Sequence, residues 1–138
     1  MASRSTQKDD FLYKELSYEV RGAIFSVWKA LGPAFKESVY HKALAKEFAL
    51  LGIPFESEKS IPILYGDEVV GHYRPDFILD GKILLEIKVL PFLSSREEKQ
   101  LWYYLKGSEY KVALLVNFGG RKLLIKRWIY DKARQKYK

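Results

Sequence analysis

The sequence predicts an α/β fold in which a mixed β-sheet is flanked by helices, in the element order ααβββαββ. Three observations lead there. Apolar residues recur at helical spacing over the first fifty positions, the pattern switches to strand-like runs after Pro54, and a strand–helix–strand crossover from Lys82 to Asn117 calls for a parallel pair. At 138 residues the chain fits one domain, residues 11–138, preceded by a loose polar arm over residues 1–10.

Leu16, Val20, Ala23, Ile24, Val27 and Leu31 sit three and four apart and describe an amphipathic helix closing at Gly32. Pro33 then suits the first turn of a second helix, where a missing N–H is no loss. That helix carries Val39, Tyr40, Ala43, Leu44, Phe48 and Leu51 inward and stops at Gly52. IPILYG, EVVGHYRPDFIL and KILLEIKVL read as a meander, turned at Gly66-Asp67 and Asp80-Gly81. In LSSREEKQLWYYLKG, Ser94 and Glu97 have capping-box spacing and Gly107 ends a helix of about three turns. VALLVNF and KLLIKRWIY form a hairpin around Gly119-Gly120.

Composition excludes several functions. No apolar run is long enough to span a bilayer, no secretory signal pattern opens the sequence, and there is no cysteine for disulfides or thiolate metal sites, so a cytoplasmic protein is expected. Net charge is +7, and all of the excess lies late: residues 1–106 hold 15 Lys/Arg against 15 Asp/Glu, residues 107–138 hold 9 against 2. Such asymmetry suits a polyanion, because cationic side chains displace condensed counterions from phosphates. DKARQKYK by itself is equally a solvated basic tail, whereas GGRKLLIKRWIY interleaves charge with apolar residues as an ordered strand does.

The strand KILLEIKVL alternates Ile83, Leu85, Ile87 and Val89 on one face with Leu84, Glu86 and Lys88 on the other. Whether Asp76 joins the charged face depends on the hairpin. A two-residue Asp80-Gly81 loop pairs Leu79 with Lys82 and sends Asp76 away. A three-residue loop of Leu79, Asp80 and Gly81 pairs Ile78 with Lys82 and brings Asp76 beside Leu84 and Glu86. The second register separates apolar from polar residues and is preferred. It converges two carboxylates on an ammonium. Hard oxygens with open positions suit Mg²⁺ or Mn²⁺, with the Ile87 carbonyl as a further donor and Lys88 serving an attacking water or a charged phosphoryl oxygen. The other reading of the three charges is a salt bridge in a half-exposed hairpin.

These residues resemble the PD-(D/E)XK nuclease superfamily, whose signature is matched by Pro75-Asp76 followed by Glu86-Ile87-Lys88. Gln100 and Tyr104 are similar to the Q-x-x-x-Y feature of the RecB-type branch, and their spacing puts them on one helical face. Most of the chain further resembles the GxxExxY proteins: Glu37 and Tyr40 match the name-giving helix in ALGPAFKESVY, although Ala34 replaces its glycine. The resemblance implies a restriction-endonuclease-like core and a divalent-metal nuclease acting on nucleic acid, DNA in preference to RNA, with Mg²⁺ or Mn²⁺ as cofactor. It implies Asp76, Glu86, the Ile87 carbonyl and Glu37 as metal ligands, the last direct or through water. Lys88, Gln100 and Tyr104 would complete the catalytic set.

Arg121, Lys122, Lys126 and Arg127, chosen by charge, and Arg74, through its place near Asp76, are the candidates for phosphate contact. His41 and His72 make no zinc pattern and read as surface or packing residues; Trp28, Trp102 and Trp128 read as packing residues able to stack on bases. Two other readings use the same fold: a nucleic-acid-binding module that does not cut, and a protein-interaction subunit, homodimeric through an exposed strand.

Overall fold

A computed structural model describes residues 11–131, so the polar arm before Phe11 and the basic segment after Asp131 lie outside the described residues. The elements are α1 (Lys14–Leu31), α2 (Glu37–Leu50), β1 (Phe55–Ser57), β2 (Ile61–Tyr65), β3 (Glu68–Tyr73), β4 (Phe77–Leu79), β5 (Ile83–Lys88), α3 (Ser95–Gly107), β6 (Val112–Asn117) and β7 (Leu124–Ile129). Five strands form one mixed sheet in the order β1-β4-β5-β6-β7, and β2 with β3 forms a separate two-stranded sheet. β5 and β6 are parallel; the other neighbours are antiparallel. This is the flanked mixed sheet expected, consistent with a restriction-endonuclease-like fold.

Two strands more than expected are present, for one physical reason at Pro75. EVVGHYRPDFIL does not run as a single strand. Proline has no N–H to give a ladder, so β3 ends at Tyr73, the chain bends through Arg74-Pro75, and β4 starts afresh at Phe77 in a different sheet. The three-residue β1 then covers the free edge of β4, with Phe55 opposite Leu79.

The β4–β5 turn also differs in detail. Leu79 lies opposite Ile83, Ile78 opposite Leu84 and Phe77 opposite Leu85, so the loop residues are Asp80, Gly81 and Lys82. Asp80 and Gly81 are both left-handed, at φ 52° and 63°, and the Lys82 N–H still donates to the Leu79 carbonyl at 2.9 Å. Relative to the expected three-residue register the partner shifts by two positions, which leaves every side chain on its expected face.

Alternation along the strands divides the core in two. Phe77, Leu79, Ile83, Leu85, Ile87, Val112, Leu114 and Val116 pack under α1 and α2 with Val20, Ile24, Tyr40, Leu44 and Phe48. Ile78, Leu84, Ala113 and Leu115 pack under α3 and the β2–β3 hairpin with Leu101, Leu105, Ile61 and Tyr73. β5 and β6 are thus covered on both faces, as a parallel pair requires.

The helices follow the apolar spacing with two corrections. Pro33 does not open α2; residues 32–36 make the connection, Gly32 adopts φ 68°, and the helix begins at Glu37. The Tyr40 hydroxyl explains the delay, since it donates to the Gly32 carbonyl and accepts from the Phe35 N–H, tying the turn to the helix it precedes. Leu51 caps α2 but is exposed instead of inward. α3 carries the expected capping box between Ser94 and Glu97.

A clasp closes the end of the sheet where β5 and β6 finish. The buried Asn117 amide accepts from the Leu90 N–H and donates to the Leu90 carbonyl, both at 2.9 Å, and also accepts from the Gly119 N–H. This draws the chain after Lys88 onto Gly119 so closely that a Cβ there would stand 2.4 Å from the Leu90 nitrogen. Gly119→Ala is expected to lower stability by about 1–3 kcal/mol through forced displacement of backbone, read as a lower urea midpoint. Gly120→Ala, whose Cβ would meet its nearest neighbours at 3.4 Å, should cost less.

Candidate active site

The acids meet where β4 fails to continue. Beyond the last ladder pair, Phe77 with Leu85, Asp76 comes level with Glu86. The β4–β5 ladder does not extend back past Phe77, so the Ile87 N–H finds no backbone acceptor across from it. The Asp76 carboxylate takes that place, accepting from Ile87 N at 2.6 Å. In return the Asp76 N–H donates to Glu86 Oε1 at 3.3 Å, and the Tyr73 hydroxyl donates to the same oxygen at 2.8 Å. Lys88 Nζ stands 4.0 Å from Glu86 Oε2. The expected convergence of Asp76, Glu86 and Lys88 is therefore present, fixed by hydrogen bonds as well as by strand phase.

Electrostatics at this rim are unfavourable to the bare carboxylates. Burial first, then the charge of Asp76, pushes Glu86 up to about 7, against the lowering effects of Tyr73 and Lys88. Asp76 is raised as well, chiefly by burial, while the Ile87 N–H and the charges of His41 and Lys88 pull it down. Burial also raises Tyr73, helped by Glu86, so this hydroxyl keeps its proton and remains a donor.

Glu37, at the first position of α2, is exposed as a residue but joins the same electrostatic group from the opposite helical layer. Its carboxyl is raised by desolvation and then by Asp76, and lowered by Lys88 and His41. No three His, Cys, Asp or Glu side chains among the described residues are grouped so as to hold a metal ion between them. Asp76 and Glu86 with the Ile87 carbonyl form an all-oxygen donor set of two carboxylates. That fits Mg²⁺ or Mn²⁺, hard ions that keep several waters and bind through one or two carboxylates plus substrate phosphate. Burial is the first cause of the upward shift at both carboxylates, and the charge of Asp76 adds to it at Glu86.

The other candidates divide. Tyr104 does not reach the acids; its ring stacks on Tyr73 at 4.1 Å and 6°, holding the ring whose hydroxyl touches Glu86. Gln100, one turn earlier on α3, is exposed, and its side chain makes no hydrogen bond among the described residues. Arg121 and Lys122 are exposed in the β6–β7 turn, at the sheet end that carries Lys88, since Lys88 lies opposite Asn117 and Asn117 opposite Leu124. Arg74 is exposed, 3.8 Å from Glu58.

Lys126 and Arg127 are occupied elsewhere. Lys126 Nζ contacts both oxygens of Glu98 at 3.0 Å, and Arg127, on the alternate face of β7, donates to the Leu12 carbonyl and covers the Phe11 ring. Charge alone identified these two, and burial against α1 and α3 changes their use.

Four residues at the site escaped the sequence reading. Tyr73 and Asn117 look like ordinary strand residues until their hydrogen bonds are seen. His41 stacks on Phe77 at 4.3 Å, bonds Ser57 Oγ at 2.7 Å, and is felt by both Asp76 and Glu37. Its position four after Glu37 on a helix was the available signal. Glu58, at φ 54°, donates its N–H to the Asp76 carbonyl and adds negative charge near Asp76 and Glu37. His72, on the exposed alternate face of β3 from Tyr73, does not line up with Asp76 because the strand breaks between them.

Glu86 makes stability depend on pH with a definite sign. Its carboxyl titrates near 7 when folded and near 4.5 when free, so between these values the native state holds a proton that the unfolded chain has released. Stability without divalent metal should therefore fall as pH rises from about 4.5 through about 7, by up to about 3 kcal/mol, and level off above. Urea midpoints in a chelating buffer at pH 5 and pH 8 measure this, and Glu86→Gln should flatten the difference.

Comparison with known families finds the PD-(D/E)XK nuclease superfamily profile over residues 14–128. Searches of curated proteins and of solved structures each returned no match. The matched span runs from the start of α1 almost to the end of β7 and contains the interlocked Asp76, Glu86 and Lys88. The chain belongs to the PD-(D/E)XK nuclease superfamily.

Proposed function

We propose that this protein is a divalent-metal-dependent phosphodiesterase that hydrolyses nucleic acid, DNA in preference to RNA, and that it is of the GxxExxY type. The observation that carries the reading is the interlock in which Asp76 bonds the Ile87 N–H while Glu86 accepts from the Asp76 N–H, with Lys88 beside them. A half-exposed salt bridge would leave its carboxylates at or below their ordinary values; here burial raises both, and the charge of Asp76 adds to it at Glu86.

Asp76, Glu86 and the Ile87 carbonyl would hold Mg²⁺ or Mn²⁺. When bound, such an ion polarises a phosphate oxygen and makes water a competent nucleophile at neutral pH. Glu37 orders water on the α2 side of the group, consistent with its exposure. Lys88 supplies a fixed positive charge to the attacking water or to the phosphoryl oxygens as their charge grows. Tyr73 fixes Glu86 through its hydroxyl, and Tyr104 acts through Tyr73 by stacking. Gln100 is left with a substrate-facing role on the exposed side of α3. Arg74, Arg121 and Lys122 contact phosphates and set position along the strand, carrying no sequence information.

Purified protein incubated with Mg²⁺ or Mn²⁺ and labelled single- and double-stranded DNA and RNA is expected to cleave, with DNA the better substrate. Asp76→Ala should abolish cleavage and Lys88→Ala should reduce it at least about 100-fold. Cleavage persisting in both would overturn the assignment. Independently of activity, Mn²⁺ should raise the melting temperature of the wild type at pH 8 and leave Asp76→Asn unmoved. Arg121→Ala and Lys122→Ala should each weaken binding across all sequences and lower the salt slope by about one.

A further inference from the structure

Aromatic and charged side chains of α3 and β7 form a second feature, apart from the acid cluster. Between α3 and β7 lies a cleft of about 340 Å³ lined by Ser95, Glu98, Lys99, Trp102 and Trp128. Both tryptophans are only partly buried, although each borders the core under α3. Trp102 is braced edge-on by the Tyr130 ring at 5.7 Å, and Lys106 lies 5.9 Å from its centroid on the same helix. Two indoles lining one cleft, with Lys99 among its lining residues and Lys106 beside the Trp102 ring, match the pattern of a single-strand stacking platform.

Position ties the cleft to the acids. Lys126 and Trp128 alternate onto the α3 side of β7, and Trp128 lies opposite Ala113, itself opposite Leu84. The cleft is thus two strands across and four residues back from Lys88, roughly 15 Å along the same face of the sheet. Its near end is the first turn of α3, where Glu97 feels the charge of Lys88. Arg121 and Lys122 flank the interval in the β6–β7 turn.

Charge favours a polyanion over a peptide or a second copy. The one acid in the cleft, Glu98, is neutralised by Lys126 at 3.0 Å, which leaves Lys99 as exposed positive charge. Bases in a duplex are paired and stacked on one another and offer no free face to the cleft walls; unpaired bases do.

We infer that the cleft between α3 and β7 binds single-stranded nucleic acid, with Trp102 and Trp128 stacking on unpaired bases and Lys99 meeting a phosphate, and that it feeds the strand toward Lys88. This rests on the nuclease reading only for its direction, since binding itself needs no metal.

The test is binding of a labelled oligothymidylate and of a duplex of equal length, in a chelating buffer, followed by tryptophan emission and by anisotropy. The single strand is expected to bind about ten-fold tighter than the duplex and to quench emission. Trp102→Leu and Trp128→Leu should each weaken single-strand binding about ten-fold, while Trp102→Tyr and Trp128→Tyr, which retain a stacking face, should stay within about three-fold. Lys99→Ala, on the exposed side of α3 and neutral for folding, should lower the salt slope by about one. No binding of the oligothymidylate, equal binding of duplex, Leu variants that bind like wild type, or Tyr variants as impaired as the Leu variants would each overturn the inference. Metal-dependent cleavage unaffected by the tryptophan changes would sink the cleft and leave the nuclease standing. Tryptophan-dependent binding without cleavage by any metal would do the reverse.

Discussion

The site depends on a backbone N–H that no strand can satisfy. β4 starts only at Phe77, after Pro75, and the Ile87 N–H, in the middle of an otherwise buried strand, would be left without an acceptor. An unpaired buried donor costs about 1–3 kcal/mol, so the Asp76 carboxylate that fills the gap is structural and chemical at once. The same bond that completes the ladder fixes one oxygen-bearing group against Glu86. A carboxylate held by the backbone cannot rotate away from its neighbour, and the repulsion between the two persists in the folded state.

Around this bond the two helical layers contribute unequal things. From the α1–α2 side come Glu37 and His41, polar groups reaching past the end of the sheet. From the α3 side come Tyr73 and Tyr104, a stacked pair with a single hydroxyl directed at Glu86. One layer adjusts charge and the other restricts motion. The Asn117 clasp on Leu90 adds the third boundary, fixing where the chain leaves β5 immediately after Lys88.

Much of this was legible in the residues because strand phase is a parity rule. Asp76, Glu86 and Lys88 were placed on one face although the turn was assigned two register positions away, since a shift of two preserves every face. Capping and glycine signals located α3 because those are local interactions. The alternation of EVVGHYRPDFIL hides the break at Pro75, and Pro33 looks like a helix start because the Tyr40 bond to Gly32 that overrides it spans eight residues. Charge was the weakest guide. Lys126 and Arg127 are as basic as Arg121 and Lys122, and only tertiary partners separate them. Tyr73, Asn117, His41 and Glu58 act through contacts with residues distant in the chain, and no short pattern encodes those.

The clasp between Asn117 and Leu90 has a temporal side. Lys88 is synthesised long before the residue that holds the chain beyond it, and β5 acquires its parallel neighbour only when Asn117 is available. A ribosome-bound chain that ends before β6 therefore has the Asp76–Ile87 and Asp76–Glu86 bonds within its length but lacks the parallel strand and the asparagine that fix where β5 ends. The last boundary of the acid cluster, the path of the chain after Lys88, is thus drawn only once that asparagine has been made.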